Sequence, residues 1–329
     1  MTLRVALVPA LCVVTSLGAA LVVTVRADAP LSGYDRSATA GAVARRVSPT
    51  GPTVGGCPVF PADNPWNTPV AGAPVLGRSD QMIAAIQARG GDFPHPDFGG
   101  GGRYGIPYAV VPEEQPLVPI AYRAYGDESD PGPFPIPLDA PVEGGSDRHV
   151  LVVREGTCEL FELFAAQRTS GGWSADSGAR FDLRSNALRP QGWTSADAAG
   201  LPILAGLVRY DEVTVGQVAH AIRVTFAATR KGFVAPATHL ASSDPDPDLP
   251  AMGQRLRLRA DFDLGVLHGQ SKVIAQAMRD YGLVVADNGS NWFFQGAQDP
   301  RWDDDDLAQL KSIPGTAFEV LDTGPVQTG

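Results

Sequence analysis

The chain has 329 residues and a formal net charge of −10, and its only lysines are Lys231, Lys272 and Lys311. An acidic chain with so little lysine has no electrostatic footprint for nucleic acid or for an anionic membrane surface, so neither is expected as a partner. A hydrophobic fraction of 44% supplies a core, while 37 glycines and 29 prolines require many turns, as in mainly β proteins.

Arg4 precedes an uncharged, mostly apolar run over residues 5–25, and Arg26-Ala27-Asp28-Ala29 follows with small residues where a signal peptidase cuts. Residues 1–29 read as a signal peptide, with an uncleaved N-terminal anchor as the alternative, because the run is long enough to span a bilayer. Either reading makes the rest of the chain secreted or extracellular. Residues 30–56 are rich in Gly, Pro, Ser, Ala and Thr without hydrophobic period and read as a disordered linker. Cys12 lies within the signal, which leaves Cys57 and Cys158 to pair as one disulfide. The loop so closed would contribute on the order of 4–5 kcal/mol in a chain-entropy account.

The folded part is expected to begin with a proline-rich arm over residues 57–75, anchored by Trp66. Residues 79–89 form a short helix with Met82, Ile83 and Ile86 as its stripe, Ser79 as cap and Gly90-Gly91 as stop. The loop over 92–103 carries four consecutive glycines, but no strand precedes them and no GK[ST] follows, so it does not read as a phosphate cradle. Residues 106–111 and 117–124 suggest a hairpin, and 125–146 an acidic loop without calcium-loop spacing. Residues 149–153 and 158–166 form the clearest hairpin. Both strands are apolar on both faces and therefore central. Glu162 stands in the second of them beside Cys158, Leu160 and Phe164, where a carboxylate needs either a partner or a cleft.

Residues 201–226 are mostly apolar yet contain Asp211, Glu212, His220 and Arg223. Alternation from Gln217 puts His220 on the inward face of a strand with Val218, Ile222, Val224 and Phe226, and Arg223 on the other face. Residues 233–237 suggest an edge strand ending at His239. In RLRLRADF (255–262) the leucines point inward and Arg255, Arg257 and Arg259 outward. Residues 270–281 form the one long amphipathic helix, 283–286 a buried strand ending in the turn Asp287-Asn288-Gly289, and 292–294 another strand. Asp303 to Asp306 open a short helix whose dipole they complement, and 318–321 close the chain as a strand. The expected fold is a single antiparallel β-sandwich or jelly-roll-like domain over 57–329 with a few short peripheral helices.

No G-x-S-x-G, H-E-x-x-H or C-x-x-C occurs, and His149, His220 and His239 lack the compact spacing of a zinc site, so no metal or cofactor is expected. What remains is a set of carboxylates among aromatics. Glu162, Asp211, Glu212 and Asp287, with His220, are the candidate catalytic residues, Glu162 serving as acid beside one of the other three. The competing reading makes Glu162 structural, bound to an arginine such as Arg148 or Arg223. Trp173, Trp193, Tyr210 and Trp292 are the candidate sugar-stacking residues, and Asp197 reads as favouring a helix N-terminus. The expectation is a secreted, monomeric carbohydrate-active enzyme, a polysaccharide hydrolase with paired carboxylates. The alternatives are a non-catalytic surface or glycan-binding protein, and a polysaccharide lyase using His220, Arg223 and Tyr281.

The strings RYDEV, VAHAIRVTF, MGQRLRLRADFD and YGLVVADNGSNWF resemble a family of exported soil-bacterial proteins without characterised activity. The resemblance covers roughly residues 147–320 and implies export and one domain; it carries no activity.

Overall fold

A computed structural model describes residues 51–328. The signal or anchor segment, Cys12 and most of the expected linker lie outside the described residues. Among those described, no helix is long and apolar enough to cross a membrane.

In chain order the first strands are Thr53–Val54 (β1), Cys57–Pro58 (β2), His95–Pro96 (β3), Tyr108–Val111 (β4), Ile120–Tyr122 (β5), Val150–Arg154 (β6), Glu159–Phe164 (β7) and Gln167–Arg168 (β8). Trp173–Ala175 (β9), Ser177–Asp182 (β10), Ile222–Phe226 (β11), Arg255–Leu258 (β12), Leu283–Asn288 (β13), Phe293–Phe294 (β14) and Phe318–Val320 (β15) follow. The α-helices are Ser79–Gln87 (α1), Ile203–Gly206 (α2), Tyr210–Thr214 (α3), Gly269–Asp280 (α4) and Asp304–Leu307 (α5). The protein is mainly β, but its sheets are mixed. A four-stranded sheet runs β10-β7-β6-β4 and a six-stranded one β15-β12-β13-β11-β14-β3. The pairs β4–β6, β5–β9, β11–β13 and β14–β3 are parallel, which corrects the expectation of a purely antiparallel sandwich.

The reason lies in partner choice. Residues 106–111 and 117–124 do not pair as a hairpin. Tyr108–Val111 instead lines up with Leu151–Arg154, and Val118 bridges Phe134. β6 and β7 do form the expected antiparallel hairpin. Their two faces enter two hydrophobic clusters: Leu151, Val153 and Leu160 one, Val150, Val152, Phe161 and Leu163 the other. A strand pair covered on both sides needs apolar residues at every position, which is the pattern these segments carry.

β11 and β13 are parallel neighbours whose connection passes through β12 and the long helix α4, a crossover that parallel pairing requires. The segment expected as a strand from Gln217 becomes regular only at Ile222; two short helices, α2 and α3, take up the residues before it. All five residues of β11 are buried, so Arg223 is as enclosed as its apolar neighbours.

Cys57 and Cys158 are disulfide-bonded, with Cα atoms 5.3 Å apart. The linker expected to reach Gly56 stops short of it, because β1 already pairs with β2. The arm beyond is held by Trp66, 2% exposed, whose carbonyl accepts from the Ala221 amide at 2.8 Å. Arg255, expected on the surface, is buried beneath this arm. Its guanidinium donates to the carbonyls of Tyr281, at 2.8 Å, and Pro65, at 2.7 Å. Arg257 similarly reaches the carbonyl of Ala71, at 3.0 Å, and Glu319, at 2.8 Å. The face that alternation marked as outward is thus covered by proline-rich backbone whose carbonyls have no ladder partner, and arginines satisfy them.

Candidate functional site

The central position belongs to Arg223 on β11. One step beyond the register pairs Val224↔Phe294 and Phe294↔Pro96 stand Arg223, Gln295 and Asp97, one row across three strands. At the C-terminal end of the neighbouring β13, Asp287 pairs in register with Thr225. A ligand cleft at the carboxyl ends of parallel strands is the arrangement expected where side chains converge and backbone stops. Here a cavity of ≈ 180 Å³ is lined by Asp97, Glu143, His149, Arg223, Asp287 and Gln295, among others.

Two further cavities join it. One of ≈ 270 Å³ shares Asp97 and Glu143 and extends to Arg103 and Tyr104. The other, ≈ 330 Å³, shares Asp287 and extends past Asp197 and His239 to Tyr125. Shared lining residues make the three neighbours along one groove, with Asp287 common to the first and third cavities.

The buried positive groups at the middle of the groove, Arg223 and His149, already have partners. Arg223 donates to Asp197 from Nε at 3.1 Å and from Nη2 at 2.9 Å, both side chains buried. Burial would lower the Arg223 pKa, but Asp197 outweighs it and holds the guanidinium charged. Asp197 is placed by the 194–200 turn, where Ser195 Oγ accepts from the Asp197 amide at 2.9 Å. His149 Nδ1 lies 2.5 Å from Glu143 Oε2, and His149 Nε2 lies 3.1 Å from the carbonyl of Ala196. Both ring nitrogens face acceptors, so the ring is an imidazolium paired with an ionised Glu143. Burial opposes the charge on His149, yet the bond and charge of Glu143 leave its pKa raised. The Glu143 carboxyl, which burial alone would push up, is drawn below its usual range by His149.

The unpaired carboxyls behave differently. Burial, reinforced by the charge of Asp197, pushes Asp287 up to about 7, with Arg223 opposing. Asp97 is raised by burial and by the charge of Glu143, while a bond from Gln295 pulls it back. The groove therefore sets Asp287, raised to about 7, near Glu143, held below its usual range, two carboxyls whose proton affinities are pushed apart as in acid-catalysed bond cleavage.

Of the candidate catalytic residues, Asp287 lies in this groove, and Glu162, Asp211, Glu212 and His220 do not. Glu162 is fully buried beneath it, and its two oxygens accept the amides of Ile203, at 3.0 Å, and Leu204, at 2.9 Å. A carboxylate at the start of α2 satisfies amides that the helix leaves open. Burial still pushes its pKa up to about 7. Its partners are backbone amides, neither Arg148 nor Arg223. Asp211 is on the surface, bonded to Arg301 at 2.9 Å. Glu212 pairs with Arg209 and with His220 Nε2 at 3.1 Å, while His220 Nδ1 donates to the carbonyl of Ala221 at 2.7 Å. His220 is therefore buried and hydrogen-bonded, in the turn before β11 rather than on the strand.

The aromatic candidates are placed differently from expectation too. Trp173 and Trp292, 1% and 0% exposed, are core and can stack on no sugar. Trp193 lies under the Arg189 guanidinium at 5.6 Å and Tyr210 under that of Arg301 at 4.3 Å, so neither ring lines the groove. The exposed aromatic rings of the groove are Tyr104, 55% exposed, and Tyr125, 48% exposed, at its two ends. The glycine loop beside Tyr104 turns its Gly100 amide onto Asp304 Oδ1, at 2.8 Å, which leaves that donor unavailable to a phosphate. Asp97, Glu143 and His149 were not in the sequence-derived site. Their one sequence signal was Glu143-Gly144-Gly145, a carboxylate followed by a turn that brings it beside His149, the residue before β6. Among the described residues no group of three or more His, Cys, Asp or Glu is placed to hold a metal ion.

Comparison of the chain with protein families, with curated proteins and with solved structures finds no match.

Proposed function

We propose that this protein is a secreted, monomeric glycan hydrolase whose general acid is Asp287. The observation that carries the reading is the place of Asp287, shared by two cavities of one groove and pushed up to about 7 by burial. A carboxyl protonated near neutral pH can give its proton to a leaving glycosidic oxygen, and Glu143, held below the usual carboxylate range by His149, supplies negative charge in the adjoining cavity. An elongated groove with an exposed tyrosine at each end suits a chain of sugar rings better than a compact substrate.

The acid-rich lining argues against the lyase alternative. A polyuronate would bring carboxylates to a groove whose Arg223 and His149 are already neutralised by Asp197 and Glu143, leaving, among the described residues, only the exposed Arg103 at one end to receive them. Neutral polysaccharides are the preferred class.

The test incubates the purified disulfide-bonded domain with neutral and acidic plant, fungal and bacterial polysaccharides, scoring new reducing ends and unsaturated uronates. Reducing ends from a neutral glycan, lost in Asp287→Asn, are the expected result. Binding without cleavage across the whole panel would reduce the protein to a glycan-binding module.

A further inference from the structure

The third cavity contains a group that the hydrolase reading has not used. His239 is partly exposed, its side chain 26% accessible, and it lines the same ≈ 330 Å³ space as Asp287. Its Nδ1 lies 2.8 Å from the carbonyl oxygen of Ala198. A carbonyl can only accept, so Nδ1 carries the hydrogen and the neutral ring has its lone pair on Nε2. Among the described residues Nε2 has no hydrogen-bond donor or acceptor. Glu128 Oε2 stands 3.8 Å from it, too far for a hydrogen bond. Glu128 is itself steadied by the Thr194 amide, which donates to the same oxygen at 3.1 Å. No other histidine lining the groove combines these features: both nitrogens of His149 are engaged.

We propose that His239 is the proton acceptor of this site, so that the reacting bond lies in the third cavity between Nε2 of His239 and the carboxyl of Asp287. The inference rests on the hydrolase reading and names the base that reading left open. A water bound between the two groups gives one proton to His239 Nε2 as its oxygen bonds to the anomeric carbon. The glycosidic C–O bond breaks, and the departing oxygen takes the proton of Asp287. The imidazolium and carboxylate left behind are the reverse of the starting pair, and solvent returns the proton from one to the other. Glu128, 3.8 Å from Nε2, does not touch the substrate.

Two measurements test this independently. The first needs no substrate. Carbethoxylation of the native protein at neutral pH, mapped by mass spectrometry, reads which imidazole nitrogens are free and accessible. His239 is expected to react at a rate comparable to the exposed His268, with His149 and His220 protected; a His239 as slow as those two overturns the proposal whether or not any glycan is cleaved. The second uses the glycan that the panel identifies. His239→Asn keeps an N–H for the Ala198 carbonyl but has no base, and should lower kcat by ~100-fold or more with KM little changed. His239→Ala should regain ~10-fold or more of its lost rate with added imidazole, a response a merely structural histidine would not give. A folded His239→Asn that keeps most of its kcat overturns the assignment while leaving Asp287 as the acid. A panel without any cleavage removes both, and carbethoxylation then still reports whether the lone pair is free.

Discussion

Arg223 and Asp197 face each other with two N–H···O contacts of 3.1 and 2.9 Å, closed off from water beneath the groove. Their charges act on Asp287 in opposite senses, Asp197 raising its pKa and Arg223 lowering it. The pair thus sets the proton affinity of the residue above it as well as holding the 194–200 turn to β11. Arg223→Met would leave a buried carboxylate without its partner, at about 3–5 kcal/mol of stability. Denaturant unfolding checks this, and adding Asp197→Asn to the same chain should recover part of the loss. An Arg223→Met protein as stable as the wild type would show that the pair holds nothing together.

Glu162→Gln should leave catalysis intact, because both oxygens of Glu162 are committed to backbone amides below the groove. Its effect is expected on stability and on the pH dependence of stability. Burial raises this carboxyl from 4.5 to about 7, so between those values the folded chain keeps a proton that the unfolded chain has released. The stability it contributes is complete below the unfolded pKa and is lost as pH rises through about 7, a change on the order of 3 kcal/mol. Glutamine does not titrate, so unfolding free energies at pH 5 and pH 8 should differ less in the variant than in the wild type. An inactive but folded Glu162→Gln would return Glu162 to the catalytic set.

The acid role of Asp287 fixes the direction of the pH–rate profile. The protonated form is the active one, so the hydrolysis rate should fall by one proton's slope as pH rises through about 7. Asp287→Asn should remove that limb together with ~10²–10⁴-fold of kcat. A falling limb that persists unchanged in Asp287→Asn would remove Asp287 as the acid.

Replacing Cys57 and Cys158 by serine should lower stability by about 2–5 kcal/mol in denaturant without changing the groove residues. The disulfide spans 101 residues and ties the start of the arm to the turn leading into β7, far from Asp287 in the chain. Loss of activity in a variant whose fold is unchanged would contradict this separation.

Much of the local structure was legible because it follows from period alone. The stripe Met82, Ile83 and Ile86 buries α1, and Ile274, Ala277 and Met278 bury α4. Pairing was less legible, because which strand lies beside which depends on surfaces distant in sequence: β4 meets β6 rather than β5. Alternation likewise does not say what covers a face, so Arg255 reads the same whether it meets water or the carbonyls of Pro65 and Tyr281. The discomfort of a mid-strand Glu162 was visible, but its remedy, two amides 41 and 42 residues further on, was not. In the groove, Asp287 stood out by ending a strand. Asp97 and Glu143 looked like any loop carboxylates, since only the third dimension brings them opposite it.

The arm that Arg255 and Arg257 hold down has a consequence for how the chain is made. Val75 bridges Leu321, the Leu76 amide reaches the carbonyl of Val320, and the Asp322 amide reaches that of Pro74. The opening segment of the domain is therefore stitched to its last strand, and Trp66 and Val70 to residues 221 and 280 between them. A growing polypeptide emerges from the ribosome in order, so the arm can be closed only stepwise, at Trp66 once residue 221 is made and at residues 74–76 last of all. Contacts of such sequence separation make for slow, late closure. Until β15 is available the end of the arm at residues 74–76 stays unpaired, and a truncation that removes residues 318–322 should free that end while Trp66 and Val70 keep their partners.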